Sequence, residues 1–179
     1  MRTTLLSIFL VALTVSAHAS SEWSRKYNED KPVASERDYI LRIFDFYTQI
    51  QQKFKRERFS AQSRDLVEDY TTAILLPACV SCSKLLRRGH DTGLLLAYFR
   101  LLQHTQHSAS ESFGGHLADI FAANPDLVES VYRRLSPEQQ RIGFSELSWG
   151  FGNLTYGQKR TRTIKRLEQR LTRMTSKAK

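Results

Sequence analysis

SFGGHLADIFAANPDLVESVYRRLSPEQQRIGFSELSW, residues 112–149, is the most regular part of the chain. Ser112, Asn124 and Ser136 recur every 12 residues. Each is a residue type that caps a helix N-terminus by accepting a backbone N–H. Pro125 and Pro137 follow the last two; proline suits the first helical position because its φ is already helical and its missing N–H leaves no bond unmade. Gln139, three residues past Ser136, completes the pattern of a capping box. The spacing predicts short helices over 113–123, 125–135 and 137–149. Phe113, Leu117, Ile120 and Phe121, then Val128, Val131, Tyr132 and Leu135, then Ile142, Leu147 and Trp149, form their apolar faces. Connections this short turn each helix sharply against the last.

The same period of three to four runs upstream. Ile40, Ile43, Phe44, Tyr47, Ile50 and Phe54 predict a long helix opened by Ser35 and Asp38. Leu66, Val67, Tyr70, Ala73 and Ile74 predict a second, ending before Pro77, because proline lacks an N–H and its ring meets the carbonyl four residues back. RRGHDTG, residues 87–93, breaks the chain, and Leu94, Leu95, Tyr98, Leu101 and Leu102 open a third. GFGNLTYG, residues 150–157, with three glycines, reads as a hinge or loop. No alternating run of period two occurs, so the fold class is all-α. We expect an orthogonal or stacked helical-hairpin bundle of about six to seven helices.

The first 19 residues read as a cleavable secretory signal: Arg2, an apolar run from Leu5 to Val15, and Ala17-His18-Ala19 before the cut. That run is shorter than the roughly 20 residues that span a bilayer, and Ser20 stands where a lipid-anchored protein needs cysteine. The expectation is an exported chain, periplasmic or extracellular, with a leader over 20–34, a helical domain over 35–157 and a basic amphipathic tail over 158–179. The formal charge is +9. It is unevenly placed: residues 20–158 balance, whereas 159–179 hold nine Lys and Arg against Glu168 alone. Ile164, Leu167, Leu171 and Met174 draw a thin apolar stripe along this segment.

Cys79 and Cys82 are the two cysteines of the chain, in a single C-x-x-C. A thioredoxin-type motif needs a strand before it, and the preceding pattern is helical. A zinc site can be composed from the cysteines with His104 and His107. The reading favoured by an oxidising compartment is a structural Cys79–Cys82 disulfide pinning the turn between the second and third helices, with free buried thiols as the next alternative and neither metal nor cofactor expected.

For catalysis, Glu111 before Gly114-Gly115 is the candidate general acid of a cell-envelope (peptidoglycan) hydrolase, with Asp119 as partner. A first-turn glutamate also has an ordinary explanation in the helix dipole. His116, one turn from Ser112, lacks the Gly-x-Ser-x-Gly setting of a serine nucleophile. The leading expectation is therefore a binding protein without catalytic activity, of the inhibitor or immunity type. Its contact residues would be Trp149, Phe151 and Tyr156 on the glycine-rich stretch, with Lys159, Arg160, Arg162, Lys165, Arg166, Arg170 and Arg173 on the tail. Its partner would be a protein or an anionic envelope component; peripheral membrane contact through the tail is the variant of this reading, and nucleic acid is not expected of an exported chain. Asn153-Leu154-Thr155 is a glycosylation sequon in a eukaryotic host.

Overall fold

The computed structural model describes residues 34–56, 61–105, 110–157 and 161–176, and among these it is all-helical, with no strand. The helices are α1 (Glu36–Arg56), α2 (Ala61–Tyr70), a π-helical turn (Thr71–Leu75), α3 (Leu76–Arg88), α4 (Thr92–Leu102), α5 (Ser110–Ala123), α6 (Pro125–Tyr132), α7 (Pro137–Thr155) and α8 (Arg162–Ser176). The chain divides into two compact units after Ala78, inside α3. The expected signal peptide and leader lie almost wholly outside the described residues.

In the first unit, α1 starts where the cap pattern placed it. Ser35 Oγ accepts from the Asp38 N–H at 3.2 Å and donates to its carboxylate at 2.8 Å. Ile40, Ile43, Phe44, Tyr47 and Ile50 are buried as the period requires. The Phe46 ring packs on Tyr70 at 5.1 Å, tilted by 54°. Pro77 does not end the helical path, contrary to the sequence reading. The Leu76 N–H reaches back to the Thr71 carbonyl, the five-residue step of a π turn. This widened turn lets proline enter the next helix without the clash it makes in a continuous α-helix.

In the second unit, α4 is buried almost all round and α5 packs most extensively on α7. Asp91 caps α4 by accepting from the Leu94 N–H at 2.9 Å. Ser136 and Gln139 form the full capping box of α7. Tyr98, fully buried, donates its hydroxyl proton to the Phe113 carbonyl at 3.0 Å and ties α4 to α5.

Two further expectations from the sequence fail. The stretch 150–157 is not a loop: α7 runs through Gly150 and Gly152 to Thr155, and among the described glycines only Gly157 has positive φ, at 70°. Gly150 is there for proximity. A Cβ at that position would stand 1.9 Å from the Gly114 carbonyl oxygen, so the two backbones touch where α5 crosses α7. Cys79 and Cys82 are not bonded to each other. They lie in the uninterrupted helix α3 rather than in a turn. Residues three apart on a helix keep their Cβ atoms about 5–6 Å apart, beyond the roughly 3.5–4.5 Å a disulfide requires.

Candidate interaction surface

α8 follows Gly157 and rests on α6 and α7. Its stripe faces inward, with Leu167 and Met174 buried and Ile164 and Leu171 half-buried. Arg170 fixes the register. Its Nε donates to Glu129 and its Nη2 to Asp126, two acids one turn apart on α6. That hydrogen bond and the guanidinium charge hold the Asp126 carboxyl below its ordinary value of 3.8. Arg170 is thus the tether of the helix to the unit. Arg162, Lys165, Arg166 and Arg173 are exposed. Lys159 and Arg160 lie outside the described residues.

Beside this tether opens a cleft of about 360 Å³. Glu129, Tyr132 and Arg133 line it from α6, Gln140 from α7, and Arg170, Arg173 and Met174 from α8. Gln140 donates to the Tyr132 and Leu135 carbonyls at 3.1 and 3.3 Å and so braces the exit of α6 against α7. Both oxygens of Glu129 are engaged: Arg170 takes Oε1, and Arg133 Nη2 takes Oε2 at 3.2 Å. Sequence reasoning passed over Asp126, Glu129, Arg133 and Gln140, and read Tyr132 as a core residue alone. The signal was present in the acids three apart and the Glu129–Arg133 spacing of four. What the sequence lacked was the position of α8.

The aromatic candidates part company. Tyr156 is 89% exposed and Trp149 43%. Phe151 is 4% exposed and meets Phe121 edge-on at 5.9 Å, so it seats α7 on α5 and offers nothing to a partner. Trp149 leans across Gly114, whose missing Cβ would lie 3.1 Å from the indole. The Glu146 carboxylate occupies the same spot, and burial pushes its pKa up.

The thiols are chemically quiet. Burial raises Cys79, helped by Cys82, and raises Cys82, helped by Asp91; a thiol kept protonated is a poor nucleophile. His104 is half-buried at the end of α4, while His107 lies outside the described residues. No cluster of three or more metal-ligating side chains occurs among the described residues. Glu111 is the second residue of α5, and Ser112 lies within that helix rather than capping it. Asp119 and His116 are half-buried further along α5, and burial lowers the His116 pKa against the opposing effect of Asp119. No helix among the described residues is long and apolar enough to cross a membrane. The chain matches no family model, no curated protein and no solved structure.

Proposed function

We propose that the chain is an exported helical protein without catalytic activity that binds an acidic partner, the inhibitor or immunity type being the closest functional class. Its body, read as an orthogonal or stacked set of helical hairpins over 35–157, carries the basic C-terminal segment, which provides the attraction. The observation that carries this reading is the division of charge: residues 159–179 hold nine cations and one acid, whereas residues 20–158 balance. The position of α8 supports it, because one arginine anchors the helix while Arg162, Lys165 and Arg166 remain exposed. Trp149 and Tyr156 add exposed aromatic area at the end of α7, the residue type that concentrates binding energy in interfaces. Such a constellation raises association rates through long-range attraction more than it slows dissociation.

The test is a pair of biosensor experiments against an immobilised polyglutamate surface, with the full chain and with one ended at Gly157. Full-length association should slow steeply between about 50 and 200 mM salt, as the Debye length shortens toward about 8 Å. The shortened chain should bind slowly at both concentrations. Equal rates and equal salt response would overturn the proposal. Export is tested separately, by the N-terminal sequence of the secreted product, which should begin at Ser20.

A further inference from the structure

The cleft between α6, α7 and α8 has a charge and a floor that suit one kind of occupant. Among the described residues, three guanidiniums line it with one carboxylate, Glu129, whose two oxygens already accept from Arg170 and Arg133, while Asp126, outside the lining, accepts from the other side of Arg170. Arg133 uses one Nη2 for that bond and its side chain stays 65% exposed; a guanidinium carries five N–H donors in a fork that matches a carboxylate. Arg173 stands on the opposite wall, its Nε donating to the Gln169 carbonyl at 3.3 Å. Tyr132 and Met174 are buried and supply the apolar surface.

The cleft also has a direction. Arg162, Arg166 and Arg170 are four residues apart and Arg173 three further on, so they follow one another along one side of α8, over about 16 Å at 1.5 Å per residue. The line ends in the cleft.

We propose that this cleft is the anchor site for an acidic segment of the protein partner. One carboxylate side chain enters between Arg133 and Arg173, and its methylene stem lies on Tyr132 and Met174. Neighbouring acidic residues run along Arg166 and Arg162. This inference rests on the acidic-partner reading above and adds to it a place and a chemistry. An anionic bilayer fits less well, because the apolar stripe of α8 is turned inward and leaves no apolar residue of that stripe to insert into lipid.

Methionine occurs only at positions 1 and 174, so the methyl of Met174 reports on the cleft directly. The experiment titrates fluorescent hexaglutamate into the full chain labelled with 13C-methyl methionine, reading anisotropy and the Met174 methyl resonance together. We expect the Met174 resonance to shift in step with binding. Arg133→Gln/Arg173→Gln should weaken binding at least tenfold, whereas Arg87→Gln/Arg100→Gln, which removes two exposed charges elsewhere, should weaken it less than threefold.

Salt-sensitive binding with an unmoved Met174 resonance and equal losses in the two variants would overturn the cleft and leave the basic-helix reading standing. Absence of hexaglutamate binding at about 50 mM salt would overturn both. A Met174 shift with tripolyphosphate or with vesicles of phosphatidylglycerol, and none with hexaglutamate, would overturn the acidic-protein assignment in favour of a phosphate ligand. A folding defect in the cleft variant is recognised by its circular dichroism. Arg133→Lys/Arg173→Lys then tests the same point, since it keeps the charge and loses the fork; retention of full affinity by this variant would count against the anchor.

Discussion

Gly114 of α5 and Gly150 of α7 are in backbone contact: a Cβ built on Gly150 would fall 1.9 Å from the carbonyl oxygen of Gly114. No side-chain rotation relieves that overlap, because the carbonyl oxygen is helical backbone and a Cβ is fixed in place by the backbone that carries it. The helices must separate, and with them the Phe121–Phe151 contact. Gly150→Ala should therefore cost about 3 kcal/mol, the upper range for overpacking a core. Gly152→Ala, two residues on in the same helix with nothing within 4 Å of its added Cβ, should stabilise by about 0.5–1 kcal/mol, since alanine is the better helix former. Urea denaturation of the two variants checks the pair; equal effects would mean that the crossing is looser than the backbone contact implies.

Cys79 and Cys82, each 0% exposed, should resist alkylation in the folded protein and take up two equivalents in denaturant, and reductant should leave the melting temperature unchanged. The direction of their titration sets the pH dependence. A thiol whose folded pKa is raised contributes stability that is fully present below its unfolded value, near 9.0, and lost as pH rises above it toward the folded value. Stability should fall above about pH 9, and the fall should shrink in Cys79→Ala/Cys82→Ala. A pH response identical in wild type and double variant would refute the assignment.

What was legible in the sequence is what local chemistry decides. Ser35 and Ser136 mark helix starts through bonds to backbone three residues away, and apolar spacing places Ile40, Val128 or Leu147 inside without reference to a neighbour. The failures share the opposite property. Glycine marks a turn unless a second helix needs the space, and only α5 shows that Gly150 serves a crossing. The C-x-x-C is read as a turn or as a helix depending on how the chain passes Pro77, which the π turn decides. Arg170 looks like its neighbours on α8 until Asp126 and Glu129, more than 40 residues earlier, are brought under it. The cleft was invisible for the same reason.

Arg170→Gln should loosen α8 without unfolding the rest of the unit, because Glu129 keeps its bond to Arg133. The Met174 methyl would then show a resonance at neutral pH displaced toward that of an unfolded chain. In the wild type the same displacement should appear in acid. Asp126 has its carboxyl pKa lowered by Arg170, so its contribution is present above the ordinary value of 3.8 and is lost as pH falls through the lowered one. A Met174 resonance that is constant from pH 7 to below about 3 would show that the stripe alone holds the helix.

Asn124 precedes Pro125 as an N-cap residue should, yet its side chain makes no capping bond to α6. Its amide points the other way, donating from Nδ2 to the Gly89 carbonyl at 2.9 Å and toward the Leu86 carbonyl at 3.5 Å. These carbonyls belong to the C-terminal end of α3, where helix geometry leaves acceptors without partners. The residue thus closes one helix while standing at the entrance of another. The two roles make opposite demands on the side chain. Aspartate is as good an N-cap as asparagine, so Asn124→Asp would be neutral if the residue served α6. As a donor to α3 it cannot be replaced by a carboxylate, which has no N–H and places negative charge against two carbonyl oxygens at the negative end of a helix dipole. Asn124→Asp should therefore cost at least as much as Asn124→Ala, for which about 1 kcal/mol is expected from one lost half-buried hydrogen bond. Chemical denaturation of both variants at pH 7 measures the order; an aspartate variant as stable as wild type would return Asn124 to the N-cap role.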